Sequence, residues 1–322
     1  MITFHTGNKN NWPSVKEIPT FSKSMPDGSV WPKISVVTPS FNQGVFIDDS
    51  IRSVLMQNYP NLDYIIIDGG STDGSIEIIK KYESYLAYWI NEPDRGQSHA
   101  LNKGILQAGG DILLWLNSDD ICLPGSFLLA AQAFCSDPGL KLVIGQARII
   151  NSQGEIIGEL RSQFSSWEEL ATNPRNSVRQ ISTFFSKSLF DELGLVDESL
   201  HIAMDTELLV RFTQFYKPLI LEDYLTAYRI HLEAKTYSQL LKGYAETDRV
   251  RPKYFLNRTM SSNYLHRSSK NWLSLSESNK YSFVERSICL FRAFKNQQSV
   301  IFTRGYWSSI KRIFSGLLNN KL

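Results

Sequence analysis

Three short apolar runs, each ending in a polar loop, constrain this chain more than any other feature. Ile34-Ser35-Val36-Val37-Thr38 is stopped by Pro39. Tyr64-Ile65-Ile66-Ile67-Asp68 ends in Gly69-Gly70-Ser71-Thr72-Asp73-Gly74, and Asp111-Ile112-Leu113-Leu114-Trp115-Leu116 runs into Asn117-Ser118-Asp119-Asp120. Runs so short and so apolar, the first of them β-branched, read as buried strands. Between them, Ile47, Ile51, Val54 and Leu55 recur at helical spacing, and helices are expected over Ser75–Tyr85 and Ser98–Ala108. This alternation predicts an α/β chain with a mostly parallel central sheet flanked by helices. Ligands of such sheets bind beyond the carboxyl ends of the strands.

The pattern then changes. Leu142–Ile150 and Glu155–Leu160 read as a hairpin around Asn151-Ser152-Gln153-Gly154, followed by Ile181–Phe185 and by helices over Ser188–Leu193 and Met204–Tyr216. Residues 1–33 read as an irregular arm that Trp12 and Trp31 could pin to the body. Residues 34–235 read as the main domain, with halves at 34–120 and 121–235, and 236–322 as a helical C-terminal extension. The net charge of +2 is unevenly spread. Residues 241–322 hold 15 Lys/Arg against 4 Asp/Glu, leaving 19 against 28 in the rest.

Cys122, Cys135 and Cys289 have neither metal-ligand spacing nor an even count, so reduced thiols in a cytoplasmic protein are expected. The polar first 30 residues lack the apolar core of a signal peptide, and no apolar run is long enough to predict a spanning helix. No G-x-G-x-x-G follows the first strand and no P-loop is present, so dinucleotide oxidoreductases and kinases lose their main motif.

Adjacent carboxylates at a strand end, Asp119 and Asp120, suit a hard cation such as Mg²⁺ or Mn²⁺ that completes its shell with substrate phosphates. A solvated acidic loop is the other reading of that pair. Asp68, ending the second strand, can accept from a nucleobase N–H or a ribose hydroxyl, and the glycines after it allow close approach of a ligand. Asp73 and Ser75 read as parts of the turn and helix start.

Taken in order, these segments resemble family 2 glycosyltransferases of the GT-A fold, the nucleotide-diphospho-sugar transferase architecture. The resemblance rests on Val36-Val37-Thr38-Pro39-Ser40-Phe41-Asn42, Ile67–Gly74, Glu92-Pro93-Asp94-Arg95-Gly96-Gln97-Ser98 and Trp115–Asp120. It continues through Gln180–Phe185, Asp197–Leu200, Met204–Leu208 and Tyr228-Arg229-Ile230-His231, spanning about residues 33–235. It implies a nucleoside site made by Thr38, Pro39, Ser40, Asn42 and Asp68, with Asp94 and Arg95 near the base and diphosphate. The D-x-D motif falls on Asn117, Ser118 and Asp119, with Asn replacing its first Asp, and implies Asp119 as ligand to Mn²⁺ or Mg²⁺. His231 is implied at the diphosphate or metal. Asp205 is implied as the catalytic base, its alternative being a cap of the helix beginning at Thr206.

The implied activity is inverting transfer of a sugar from a nucleotide-sugar, with UDP the expected nucleotide, to a hydroxyl of a saccharide or lipid-linked acceptor in surface polysaccharide or glycolipid synthesis. The rivals are a non-catalytic nucleotide-sugar binding or scaffold protein on the same fold, and a nucleotidyltransferase. The second rival lacks its basic phosphate loop, since Ser40-Phe41-Asn42-Gln43-Gly44 has no Lys or Arg. In the tail, Phe283, Ile288, Leu290, Phe291 and Phe294, then Ile301 to Leu318, are interleaved with Arg and Lys. Such a stretch either lies on the inner face of an anionic membrane or packs on its own domain or another subunit. No nucleic-acid recognition motif accompanies the charge.

Overall fold

In the computed structural model, the residues described are 20–22, 24–172, 178–235, 239–250, 253–254, 269, 272–276, 283–296 and 308–310. Those up to Trp167 and from Val178 to Thr247 form one compact unit, and Glu168–Thr172 with the residues from Asp248 onward belong to a second.

The first unit is built on a nine-stranded sheet in the order β3-β2-β1-β4-β8-β6-β9-β5, with β7 also paired to β6. β1 (Ile34–Ser40), β2 (Leu62–Asp68), β3 (Tyr88–Asn91) and β4 (Ile112–Trp115) are mutually parallel. Burial along β1 and β4 is continuous because helices cover both faces, which is why their sequences run apolar without alternation. α1 (Ile47–Leu55), α2 (Ser75–Lys81) and α3 (Gln97–Gln107) make the connections. The chain steps outward from β1 to β2 and β3, then returns so that β4 lies on the other side of β1. That reversal opens a crevice at the carboxyl ends of β1 and β4.

The other half of the sheet departs from the mostly parallel expectation. β8 (Thr183–Ser186) runs antiparallel to β4 and to β6 (Leu142–Ile150), while β9 (Leu219–Arg229) lies parallel to β6 and antiparallel to the two-residue β5 (Ile121–Cys122). The sheet is therefore mixed. β7 (Ile156–Leu160) closes the expected hairpin with β6, and Gln180–Ser182 form a 3₁₀ turn before β8. Phe184 and Phe185 point to opposite faces of β8. Phe184 meets Phe127 of α4 (Ser126–Ser136) edge-on at 6.0 Å. Phe185 meets Phe190 of α6 (Ser188–Leu193) and Phe212 of α7 (Met204–Thr213) at 5.6 and 6.0 Å. α5 (Trp167–Thr172) precedes them in the chain, and α8 (Leu240–Val250) follows β9.

Trp31 pins the described part of the arm, its ring lying edge-on to Phe21 at 5.1 Å and Tyr59 at 6.0 Å. Trp12 lies outside the described residues, as do Ile301, Phe302, Trp307, Ile313, Phe314, Leu317 and Leu318 of the tail. In the second unit, α9 (Phe283–Asn296) buries Cys289 and Ala293 and exposes Ile288 and Phe291. No helix among the described residues is long and apolar enough to cross a membrane.

α3 lies very close to β1, because a Cβ at Gly104 would stand 2.3 Å from Val37 Cγ1 and 3.3 Å from Ile67 Cγ1. Only hydrogen fits there. Gly104→Ala is predicted to cost about 1–3 kcal/mol through overpacking. It should appear as a lower urea midpoint with an unchanged slope.

Candidate active site

A cleft of about 620 Å³ opens at the carboxyl ends of β1, β2 and β4, where the topology reverses. Pro39, Ser40, Asp94, Asn117, Ser118, Asp119 and Asp205 line it. Thus the residue implied as metal ligand and the residue implied as base share one cavity.

The remaining expected residues have other surroundings. Thr38 is buried in β1 and donates its hydroxyl to Tyr64 Oη at 3.3 Å. Asp68 is fully buried in its own turn, accepting N–H groups from Gly70 and Ser71 at 3.0 and 2.8 Å and the Ser71 hydroxyl at 2.7 Å. Asn42, in the left-handed region at φ 51°, accepts the Thr72 N–H at 2.9 Å. Its own N–H donates to Ser71 Oγ at 2.7 Å. The loops after β1 and β2 are stapled together by these bonds and by Asp73, which accepts the Gly44 N–H at 2.8 Å and the Ser75 hydroxyl at 2.6 Å. Arg95 turns away to pair with Glu198 at 2.6 Å, its side chain 70% exposed. Asp94 reaches the loop after β2, since a Cβ at Gly69 would lie 2.6 Å from its Oδ2.

The acidic turn after β4 is the electrostatic centre. Asn117 Oδ1 accepts from Trp115 Nε1 and Gln97 Nε2, both at 2.8 Å, and its Nδ2 donates to Asp120 Oδ2 at 3.0 Å. Burial, reinforced by neighbouring Asp119, pushes the Asp120 carboxyl well above the usual range. Asp120 also accepts the Arg229 N–H at 2.9 Å. Arg229 is 1% exposed and donates to the Asp119 carbonyl at 2.8 Å and the Asp49 carboxylate at 3.1 Å. Its guanidinium lies 4.9 Å from the Phe46 ring centroid, and that ring also touches His231 at 4.6 Å.

His231 Nε2 stands 3.0 Å from Asp119 Oδ2. One carboxylate oxygen and one imidazole nitrogen facing each other fit a cation such as Mn²⁺. No group of three His, Cys, Asp or Glu side chains among the described residues forms a complete cage. That donor set suits a cation that takes its other ligands from substrate phosphate and water. Asp205 is the second residue of α7 and accepts the Thr206 N–H at 2.6 Å. Burial raises its pKa, opposed by its bonds to Thr206 and by Arg179.

Residues without an assigned role also converge here. Gln97 bridges Asn117 to Lys235, which donates to Gln97 Oε1 at 3.2 Å, and Gln180 Nε2 donates to the Trp115 carbonyl at 2.7 Å. Gln97, Gln180 and Arg229 sit inside recognisable motifs. Lys235 and Lys242, which also line the cleft, carry no motif signal.

A model of glycosyl transferase family 2 matches residues 35–193. An uncharacterised glycosyltransferase of Mycobacterium tuberculosis is 30% identical over 198 residues, covering 58% of this chain and 71% of that protein. The chain belongs to glycosyltransferase family 2. The poly-β-1,6-N-acetyl-D-glucosamine synthase of Staphylococcus epidermidis is 27% identical over 176 residues, 52% of this chain, and the match spans only 42% of the synthase. Among solved structures, residues 1–349 of Staphylococcus aureus TarS in complex with UDP-GlcNAc have a TM-score of 0.61 at 18% identity, covering 82% of this chain and 81% of that 1–349 segment. The mannosyltransferase PcManGT of Pyrobaculum calidifontis, in complex with GDP-Man and Mn²⁺, has a TM-score of 0.52 at 16% identity, with 88% and 84% covered. This family 2 glycosyltransferase has the GT-A fold, an α/β architecture with a mixed sheet flanked by helices.

Asn117, where the resemblance implies the first Asp of the D-x-D motif, has a physical basis in this glycosyltransferase. Its amide donates to a buried carboxylate, a bond that Asp could not make while ionised. Asn117→Asp is predicted to destabilise the protein by about 1–3 kcal/mol at pH 8 through the lost donor and like-charge contact. A carboxyl whose folded pKa is raised opposes folding above that pKa and ceases to do so once protonated. The deficit should therefore shrink as pH falls, in urea unfolding at pH 8 and pH 5.

Proposed function

We propose that the chain transfers a sugar, with inversion, from a nucleoside-diphosphate donor to a hydroxyl of a saccharide or lipid-linked acceptor in surface polysaccharide or glycolipid synthesis. The observation that carries this reading is one cleft lined by both Asp119, in contact with His231, and Asp205. A binding or scaffold protein would need only the first. UDP-GlcNAc in one solved neighbour and GDP-Man with Mn²⁺ in the other support a nucleotide-sugar and a divalent cation, and the synthase relative supports polysaccharide synthesis. A UDP-sugar is our first choice of donor.

Asp205 takes the proton from the acceptor hydroxyl as its oxygen attacks C1 of the donor sugar. The new C1–O bond forms on the face opposite the departing diphosphate, and the electron pair of the breaking bond leaves with that diphosphate. Asp119 and His231 would hold the cation, which when bound supplies charge neutralisation at the diphosphate oxygens. Pro39 and Ser40 border the nucleotide, and Ser40 suits a polar ligand because its buried Oγ has no hydrogen-bond partner among the described residues. A leaving diphosphate needs no protein acid of the kind a glycosidase uses.

Two variants separate the roles. Asp205→Asn is expected to lower transfer about 10²–10⁴-fold, with titration of UDP in the presence of Mn²⁺ unchanged. Asp119→Ala is expected to abolish Mn²⁺-dependent UDP binding in the same calorimeter, and unchanged binding would contradict its assignment.

The raised pKa of Asp205 adds a pH signature. A base works only when ionised, so kcat/KM should fall as pH drops, with a midpoint above the ordinary aspartate value of about 3.9. Asp205→Asn should remove that limb from its residual rate.

A further inference from the structure

The family model ends at residue 193, yet a carboxylate on α8 grips the loop that leads into the Asp205 helix. Glu246 is 7% exposed, and its Oε2 accepts the backbone N–H groups of His201, Ile202 and Ala203 at 2.9, 2.8 and 3.0 Å. Three successive N–H groups converging on one oxygen make an anion-binding nest. It lies at the positive end of α7, which starts at the next residue, Met204.

Gly243, one turn before Glu246, makes this contact possible. A Cβ there would lie 2.8 Å from Ile202 Cγ2, so glycine allows the helix backbone close enough for the carboxylate to reach the loop. Burial alone would raise the Glu246 pKa, but the three N–H bonds hold it below the usual range.

The opposite end of α7 has its own anchor. Arg211 donates to Glu207 at 2.9 Å and to the carbonyls of Leu193, Gly194 and Leu195 at 2.6, 2.8 and 2.8 Å. Loss of Glu246 would therefore free the 201–203 loop that leads into the first turn, where Asp205 sits, while Arg211 keeps the helix tied to Leu193, Gly194 and Leu195.

We propose that Glu246 is the positioning residue for Asp205, fixing the 201–203 loop so that the first turn of α7 presents its carboxylate to the acceptor. The proposal rests on the reading of Asp205 as the base, and it extends the working catalytic unit past residue 235 to α8.

The test compares full-length Glu246→Ala, Glu246→Gln, Asp205→Asn and the Asp205→Asn/Glu246→Ala double variant. Turnover is followed as UDP release from UDP-N-acetylglucosamine or GDP release from GDP-mannose, and binding as UDP titration with Mn²⁺. Small misplacement of a catalytic group costs on the order of 10²-fold. Glu246→Ala should lose about that much kcat, with donor KM and UDP binding changed less than about twofold. Glu246→Gln keeps an acceptor oxygen and should recover most of the loss, and it carries the test if the alanine variant fails to fold. In the Asp205→Asn background, Glu246→Ala should add no further loss. Wild-type kcat in Glu246→Ala, no recovery in folded Glu246→Gln, or a loss of UDP binding parallel to kcat would overturn the proposal. Fully additive losses in the double variant would overturn this proposal alone. A fully active Asp205→Asn would overturn the base reading and this proposal together.

Discussion

The buried guanidinium of Arg229 is the interaction on which the site depends. A turn carrying two adjacent carboxylates repels itself, and burying one of them, as with Asp120, deepens the cost. Arg229 answers from beneath, holding the Asp119 carbonyl while its own N–H serves Asp120 and its far nitrogen reaches Asp49 on α1. The same side chain donates to the Asn151 and Ser152 carbonyls at the β6–β7 turn. One residue at the end of β9 thereby joins the acidic turn, the first helix and the hairpin, and leaves the Asp119 carboxylate facing the cleft beside His231.

This arrangement gives each half of the sheet a distinct task. The parallel half brings the ends of β1, β2 and β4 together at a reversal of strand order, with the first two loops stapled by Asn42, Ser71 and Asp73. The mixed half contributes β9, and so Arg229 and His231, and α7, and so Asp205. The cleft lies where the halves meet. Glu246 then extends the second task into α8, beyond the span that motifs alone delimit.

How much of this was legible in the sequence follows from burial. β1, β2 and β4 could be read because a strand covered on both faces is apolar throughout, and their loops stand out sharply against such runs. The hairpin announced itself through Asn151-Ser152-Gln153-Gly154, and α6 fell where expected. β9 gave no comparable signal, since its first half is largely exposed and carries Glu222 and Asp223 before turning inward at Leu225. β3 is four residues long at the sheet edge. Strand direction in the second half was not legible either, because β8, antiparallel to both its neighbours, is nearly as buried as β4 of the parallel half. Among site residues, carboxylates ending strands could be recognised individually. The internal engagement of Asp68 could not, because it depends on three hydrogen bonds formed only when the Gly69-Gly70-Ser71 turn closes. Glu246 was hidden for a similar reason. Its partners are backbone N–H groups, which carry no residue signature.

The most direct measurement of the central claim is an anomalous-difference map of crystals grown with UDP and Mn²⁺. The expected result is a manganese peak liganded by Asp119 and His231 and by the diphosphate, with Asp205 facing the remaining open space of the same cleft. A peak elsewhere on the molecule, or a diphosphate bound away from Asp119, would contradict it.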